Sequence, residues 1–405
     1  MWDERELLGV DFIPEPSDSR IVSVADPNAL GHQDGWRSEV IGWAPQPVRV
    51  VPRRKRNPKI LLNTGIMMLI CLILWALWNA HYVLLDIPPQ NSEWAYEDSG
   101  VRELQEMGLT GDGVRVCMVD TGIDLSHPDL EGVEVQFKDF VSNSAQPVDY
   151  GNLAHGTMMA GILVSDGYLY GVAPGVTLGM AAALGDNGDG TNSGDERLVA
   201  DAIRWCWSEF DADIISLSLG GDIDPNATRE GPSGNAVRQA LDNGVFVVAA
   251  AGNDGGLDDD GRVASPSHIE EVISVAALSQ NGEVWEGSSL GNDLNSNGEI
   301  RTAPNQKPEI AAPGVGILST GSDGEYYSST GTSDSTVFVS GILALIIEGE
   351  SSLSNPSLEC IEEVKLALMN SASQFGNENH DSSGGYGALN GVKWLQEIRS
   401  SGACA

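Results

Sequence analysis

Positive charge is what this 405-residue chain has least of: 22 Lys and Arg stand against 58 Asp and Glu, a formal net charge of −36. A nucleic-acid binder needs a basic surface to displace counterions, so the balance argues against nucleic acid as a partner. It argues equally against a domain spread over anionic lipid. Cysteine is scarce as well, five in all, with no pair at zinc-ligand spacing, and the six His are scattered, which argues against a zinc site. No internal repeat is present, which excludes a solenoid. What the chain does have is 48 Gly and 41% apolar residues, the composition of a globular protein with many turns.

The charge is unevenly placed. Residues 1–59 hold nine acids and nine bases, residues 60–97 hold three acids and no base, and residues 98–405 hold 46 acids and 13 bases. Six bases (Arg49, Arg53, Arg54, Lys55, Arg56 and Lys59) crowd the end of the first segment. Directly after them, Ile60 to Leu85 contains no Asp, Glu, Lys or Arg. A membrane-spanning helix needs about 20 mostly apolar residues, which this run supplies. Trp75, Trp78 and Tyr82 suit an interfacial aromatic belt. A buried core helix is the bland alternative; a cleaved signal peptide fits less well, since it starts near the N-terminus. The bases on the N-terminal side predict a cytoplasmic N-terminus and an extracellular C-terminal part. The expected organisation is a disordered cytoplasmic tail over 1–58, a transmembrane signal anchor over 59–82 (membrane contact through 60–82), a linker over 83–100 and a folded domain over 101–399.

Within that domain the pattern is α/β. Val114–Val119 is a largely apolar run of the length of a buried parallel strand, and Ile214–Leu219 and Val245–Ala250 read as strands as well. Residues 195–209, 235–243, 336–347 and 360–370 read as helices, the first with Leu198, Val199, Ala202, Ile203 and Cys206 at helical spacing. Such alternation predicts a mostly parallel central sheet with helices on both faces, and chemistry at the carboxyl ends of the strands. Asp120 follows the first strand, His155 opens an apolar helix, and Ser333 opens the long helix. A serine hydroxyl needs a base to take its proton, and an imidazole oriented by a buried carboxylate can do so. A helix N-terminus also offers free N–H groups to a developing oxyanion. Each residue alone has a bland reading as a turn or cap residue; the order Asp, His, Ser carries more.

Six ordered blocks carry a resemblance. They are Val119-Asp120-Thr121-Gly122-Ile123-Asp124, His155-Gly156-Thr157 with Gly171-Val172-Ala173-Pro174 after it, Ile215-Ser216-Leu217-Ser218-Leu219-Gly220-Gly221, Ala249-Ala250-Ala251-Gly252-Asn253, Ala311-Ala312-Pro313-Gly314 and Gly331-Thr332-Ser333. From about Gly111 to Ile347 the chain resembles the subtilisin-like serine proteases, the subtilases of peptidase family S8. The resemblance implies a three-layer subtilisin-like fold and a serine endopeptidase that acts on proteins or peptides. It implies a triad of Asp120, His155 and Ser333, with the Asn253 amide donating to the oxyanion. It implies substrate binding between Ser218, Leu219 and Gly220 on one side and Gly188 and Gly190 on the other. The primary pocket would be lined by Ala250 and Gly252, with Ala264 near its floor. Small uncharged walls suggest a large apolar P1 residue. With the apolar run, the expectation is a membrane-anchored endopeptidase, a monomer, acting on exported proteins; a catalytically inactive peptide-binding member is the alternative.

The chain departs from the family's pattern in places. Met158 replaces a second His, and Asp334-Ser335-Thr336 replaces the usual Met-Ala-(Ser/Thr) after the nucleophile, which puts a carboxylate beside Ser333. That carboxylate is expected to raise the His155 pKa. The family's tight calcium site would use Asp129 and a loop after the histidine helix, but here that loop is short. Asp293, Asn295 and Asn297 match the first half of a calcium loop, whose twelfth position is Pro304 rather than Glu. A structural calcium is therefore weighed there against a polar turn, and no cofactor is expected for catalysis. Cys117 and Cys206 read as small buried hydrophobes, and Cys360 with Cys404 as a candidate pair. Too few residues separate the apolar run from Gly111 for a folding propeptide, so folding without one is expected.

Overall fold

The structure, a computed structural model, describes residues 39–42, 48–49, 92–222, 229–257, 259–292, 294–295, 298–376 and 378–404. The apolar run and the linker that follows it, up to residue 91, lie outside the described residues.

The chain first contributes β1 (Glu39–Gly42) and β2 (Val48–Arg49), then α1 (Glu93–Asp98), α2 (Val101–Glu106), β3 (Arg115–Asp120) and β4 (Val135–Asp139). Next come α3 (His155–Val164), β5 (Thr177–Ala182), the short hairpin β6 (Gly185–Asp186) and β7 (Asn192–Asp195), and α4 (Glu196–Ser208). There follow β8 (Ile214–Leu217), α5 (Pro232–Asp242), β9 (Phe246–Ala250), β10 (Ile273–Leu278), β11 (Ile310–Pro313), β12 (Val315–Thr320) and β13 (Tyr326–Thr330). Three helices close the fold: α6 (Thr332–Gly349), α7 (Leu358–Ser371) and α8 (Gly391–Ser401).

Seven strands form one parallel sheet in the order β11-β10-β9-β8-β3-β5-β4. The inner strands β8, β9 and β10 are buried along their whole length because both faces of the sheet are covered there, whereas the edge strand β4 is partly exposed. The pleat shows which helix covers which face. Cys117 and Met118 are successive residues of β3, register partners of Ile215 and Ser216 on β8, so they point to opposite faces. Cys117 is bonded to Cys206 of α4, while Ser216 meets Ser340 of α6 at 3.0 Å. Hence α4 covers one face and α6 the other: the three-layer α/β fold the sequence predicts.

Local chemistry sets the helix ends. The Asp195 side chain accepts from Arg197 N at 2.8 Å and caps α4, whose Val199, Ala202, Ile203 and Cys206 form the buried stripe. Pro232 opens α5, where a missing N–H costs nothing, and Gly244 (φ 77°) ends it. α6 is the one helix among the described residues long and apolar enough to cross a membrane, and it is buried through the centre of the domain.

The cysteine reading needs correction. Cys117 and Cys206 form a disulfide across 89 residues, rather than packing as free thiols. Strand and helix periodicity placed each in the core but could not show that the two faces meet. Cys360 and Cys404 form a second disulfide, which ties α7 to the end of the chain. The segment read as an unstructured tail also contributes strands: β1 pairs antiparallel with β7, and β2 with β13.

The strand order reverses at β3, with β5 on one side and β8 on the other. Parallel α/β sheets bind ligands at the carboxyl end of such a switch point. Asp120 is the last residue of β3, and Ser218 follows the last residue of β8.

Candidate active site

Asp120 and His155 meet at this point. The His155 Nδ1 lies 2.7 Å from Asp120 Oδ1, which also accepts from the Thr121 backbone N–H at 2.7 Å. Both residues are buried, at 1% and 0% exposure. Two glycines permit the approach. A Cβ on Gly156 would lie 2.1 Å from the Gly122 carbonyl oxygen, and one on Gly122 (φ 117°) would lie 1.9 Å from that of Val148. Leu153 (φ 58°) and Ala154 (φ 54°) are left-handed immediately before His155. Such non-glycine residues cost about 1–3 kcal/mol each and persist where the surroundings fix them, commonly at functional sites.

Asp149 holds the two loops together, although sequence reasoning did not single it out. Its carboxylate accepts from Thr121 Oγ1 (2.6 Å), Thr157 Oγ1 (2.6 Å), Thr157 N (2.8 Å) and Gly151 N (2.8 Å). Burial raises the Asp149 pKa against the pull of these four donors. Burial alone would lower the His155 pKa; the charge and hydrogen bond of Asp120, then the charges of Asp334 and Asp149, outweigh it and hold the pKa above its ordinary value.

Ser333 sits in the first turn of α6 with no exposure. Its Oγ donates to the Ser218 carbonyl at 3.3 Å, and Ser218 Oγ returns a bond to the Ser333 carbonyl at 3.1 Å. This pair ties the N-terminus of α6 to the end of β8. His155 Nε2 has no hydrogen-bond partner here. Catalytic hydrogen bonds are often long or unformed without substrate.

Asn253 follows β9 by three residues. Its Oδ1 accepts from Thr332 N (3.0 Å) and Thr332 Oγ1 (2.8 Å), which fixes the amide and leaves Nδ2 as the outward donor. A Cβ on Gly331 would lie 3.3 Å from Asn253 Nδ2 and 3.7 Å from the Ser333 backbone nitrogen. Both nitrogens therefore border the same small space beside Gly331. Two N–H groups aimed at one point are what an oxyanion requires. Thr332 fixes the Asn253 amide, a contact that sequence reasoning did not find although the residue lies within Gly-Thr-Ser.

The substrate-side residues divide. Ser218, bonded to Ser333, and Leu219 are buried, with Gly220 next to them in the chain. Ala250 ends β9, and Ala264 N donates to Ala251 O at 2.7 Å, which brings Ala264 against the Ala250–Gly252 wall. A Cβ on Gly252 (φ 124°) would lie 2.1 Å from Ser289 Oγ. Gly188 and Gly190 are exposed and left-handed (φ 83° and 94°) between β6 and β7, and the Gly190 carbonyl accepts from Asn152 Nδ2 at 2.8 Å. Asn152 lies three residues before His155, so this loop stands on the His155 side of the site.

The calcium position at Asp129 presents no free ligand set among the described residues. Asp129 Oδ1 accepts from Tyr168 N and Oδ2 from Leu169 N, both at 2.9 Å. A Cβ on Gly167 would lie 2.4 Å from Asp129 Oδ1. The short loop has closed on the carboxylate and occupies the place a cation would take, so Asp129 does not fit the family's calcium site. In the second loop, Asp293 and Asn297 lie outside the described residues, and Asn295 Oδ1 accepts from Glu299 N at 3.0 Å.

Comparison with known proteins agrees with this geometry. A family model described as the Subtilase family matches residues 111–387. The chain is 34% identical over 324 residues to serine protease AprX of Bacillus subtilis, covering 73% of this chain and 70% of that protein. It is 37% identical over 253 residues to the major intracellular serine protease of Bacillus subtilis, covering 60% and 71%. It is 32% identical over 281 residues to subtilisin NAT of Bacillus subtilis subsp. natto, covering 68% and 64%. With these matches, the parallel sheet and the buried Asp-His pair at its switch point, the chain belongs to the subtilase family and is a serine endopeptidase.

Proposed function

We propose that Ser333 is the nucleophile, His155 its general base, Asp120 the group that orients the base, and Asn253 with the Ser333 N–H the oxyanion donors. The reading is carried by the buried Asp120–His155 pair at the end of β3 and by Ser333, held against Ser218 at the end of the neighbouring β8, with Thr332 fixing Asn253 beside it. In the reaction, Ser333 Oγ attacks the scissile carbonyl while its proton passes to His155 Nε2. The carbonyl electron pair moves onto oxygen, where Asn253 Nδ2 and Ser333 N receive it. Collapse of this intermediate expels the amine, protonated by His155, and water then hydrolyses the acyl-enzyme by the same steps. Residues 218–220 and 188–190 supply main-chain groups on which a peptide adds as a strand. A fluorophosphonate probe tests the roles. The wild type should be labelled and Ser333→Ala should not; no label on the folded wild type sinks the triad and leaves a peptide-binding domain.

The second part of the proposal is a membrane anchor over 60–82, with the N-terminus cytoplasmic and the domain outside, acting on exported proteins. The uncharged run and the basic cluster before it support this reading, and two disulfides suit an oxidising compartment. The pairing of β1 and β2 with the domain stands against it, because a single crossing at 60–82 puts residues 39–49 on the opposite side of the bilayer. An N-terminal epitope tag decides between them. Protection from protease in intact cells, lost on permeabilisation, supports the anchor. A tag cleaved in intact cells together with the domain supports the paired arrangement and overturns the anchor.

A further inference from the structure

We infer that Asn192 is a positioning residue of this reaction: from the hairpin of the substrate edge it holds the turn that sets the His155 imidazole. The inference rests on the triad reading above. Asn192 opens β7, the middle strand of the sheet β1-β7-β6, and is paired with Asp186 on one side and Gly42 on the other. It has no exposure. Its Oδ1 accepts from the Asn152 backbone N–H at 2.6 Å, and its Nδ2 has no partner among the described residues. A buried amide with a bare donor is costly, and an apolar side chain would fill the place at less cost. What the amide contributes is therefore its oxygen, placed by a strand that is fixed on both edges. Two further bonds join the hairpin to the same stretch. Asp186 N donates to the Tyr150 carbonyl and Asn152 Nδ2 to that of Gly190, both at 2.8 Å.

The turn that these bonds hold is strained. Asn152 is followed by Leu153 (φ 58°, ψ 24°) and Ala154 (φ 54°, ψ 55°), both left-handed, and then by His155. Neither is a glycine, so the pair costs energy and keeps its shape only where neighbours impose it. On one side, Tyr150 N donates to the Thr121 carbonyl at 2.9 Å, and the Asp149 carboxylate binds both Thr121 and Thr157. On the other, the Asn192 oxygen holds Asn152, the last residue before the strained pair. The aim of the imidazole depends on this hold. Asp120 fixes Nδ1, while Nε2 has no partner among the described residues, so its direction follows from the backbone that enters His155. Without the Asn192 bond the pair relaxes, and Nε2 leaves the position from which it takes the Ser333 proton. A misplacement of about 1 Å can slow a reaction about 100-fold. Asn192 acts through this backbone and through no bond to His155 itself.

The test is turnover of a chromogenic peptide, expressed per active site counted by the extent of fluorophosphonate labelling. Asn192→Ala should lower kcat about 10- to 100-fold with KM within about twofold of the wild type. Asn192→Asp keeps an oxygen for the Asn152 N–H and should recover most of that loss; a variant as slow as Asn192→Ala overturns the inference. Ala154→Gly takes a left-handed φ without strain, so adding it to Asn192→Ala should recover part of the loss. A purely structural role would reduce the number of labelled sites and leave kcat per site unchanged, and that outcome also overturns the inference. Asn152→Ala keeps its backbone N–H and loses only the Gly190 bond, so it should raise KM and spare kcat. An equal fall of kcat there overturns the role given to Asn192. If Asn192→Ala does not fold, Asn192→Ser, whose hydroxyl ends short of the Asn152 N–H, is read in its place by the same criteria. Failure of the triad reading is distinguishable, since it would appear as wild-type turnover unaffected by Ser333→Ala.

Discussion

A single amide shows how finely this site is set at the residue scale. Asn253 is useful as an oxyanion donor only with its oxygen turned away, and the two Thr332 donors impose that orientation. Asn253→Ala should lower kcat about 100- to 1000-fold with KM little changed, because its bond forms only once charge develops on the substrate oxygen. A comparable rise in KM with kcat intact would assign Asn253 to ground-state binding. The proposed site positions Asp120, His155, Asn253 and Ser333 could be located in the sequence because each lies in a short block tied to a strand end or helix start. Thr332 and Asp149 could not, since their roles are hydrogen bonds, to Asn253 79 residues away and to Thr121, Gly151 and Thr157 across a loop, that no motif or period displays. The facing of Cys117 and Cys206 was hidden for the same reason: helical and strand periods place a residue in a layer but not opposite a partner.

At the scale of elements, the short loop after α3 replaces an ion with backbone. The amides of Tyr168 and Leu169 satisfy both oxygens of Asp129, with Tyr326 a third neighbour through its hydroxyl. These are charge-assisted bonds to a carboxylate with 3% exposure, so their loss leaves amide donors bare. Asp129→Ala should destabilise the domain by about 2–4 kcal/mol in urea unfolding, by the same amount in excess calcium and in chelator. A destabilisation seen only with calcium present would show that a cation does sit on Asp129. The shortness of this loop was visible in the sequence. Its physical meaning, backbone nitrogens seated where a cation would lie, needed the fold. The main elements were legible for a simpler reason: apolar runs of strand length alternate with stripes of helical spacing, and both patterns survive folding unchanged in β3, β8, β9, α4 and α6.

Across the whole molecule, the acid excess belongs to the catalytic domain: residues 98–405 carry 46 of the 58 acids and only 13 of the 22 bases. Some of it stands near the pocket walls. Burial, then the charges of Asp254 and Asp260, raises the Asp222 pKa just past Gly221, and Asp254 follows Asn253 directly. Self-repulsion of this size opposes the compact state at low ionic strength, and screening within a Debye length of about 8–10 Å relieves it. The melting temperature should therefore hold or rise as sodium chloride goes from about 0.1 M to about 2 M. The same field attracts cationic peptides over a distance, a contribution to encounter rather than to the fit of the P1 side chain. For a substrate with several Lys or Arg outside P1, kcat/KM should fall steadily over that salt range, while a neutral substrate with the same P1 residue should change little. The two measurements separate two uses of the charge. A domain that unfolds in salt contradicts the relief of repulsion, and equal salt dependence for both peptides contradicts steering by the acidic surface.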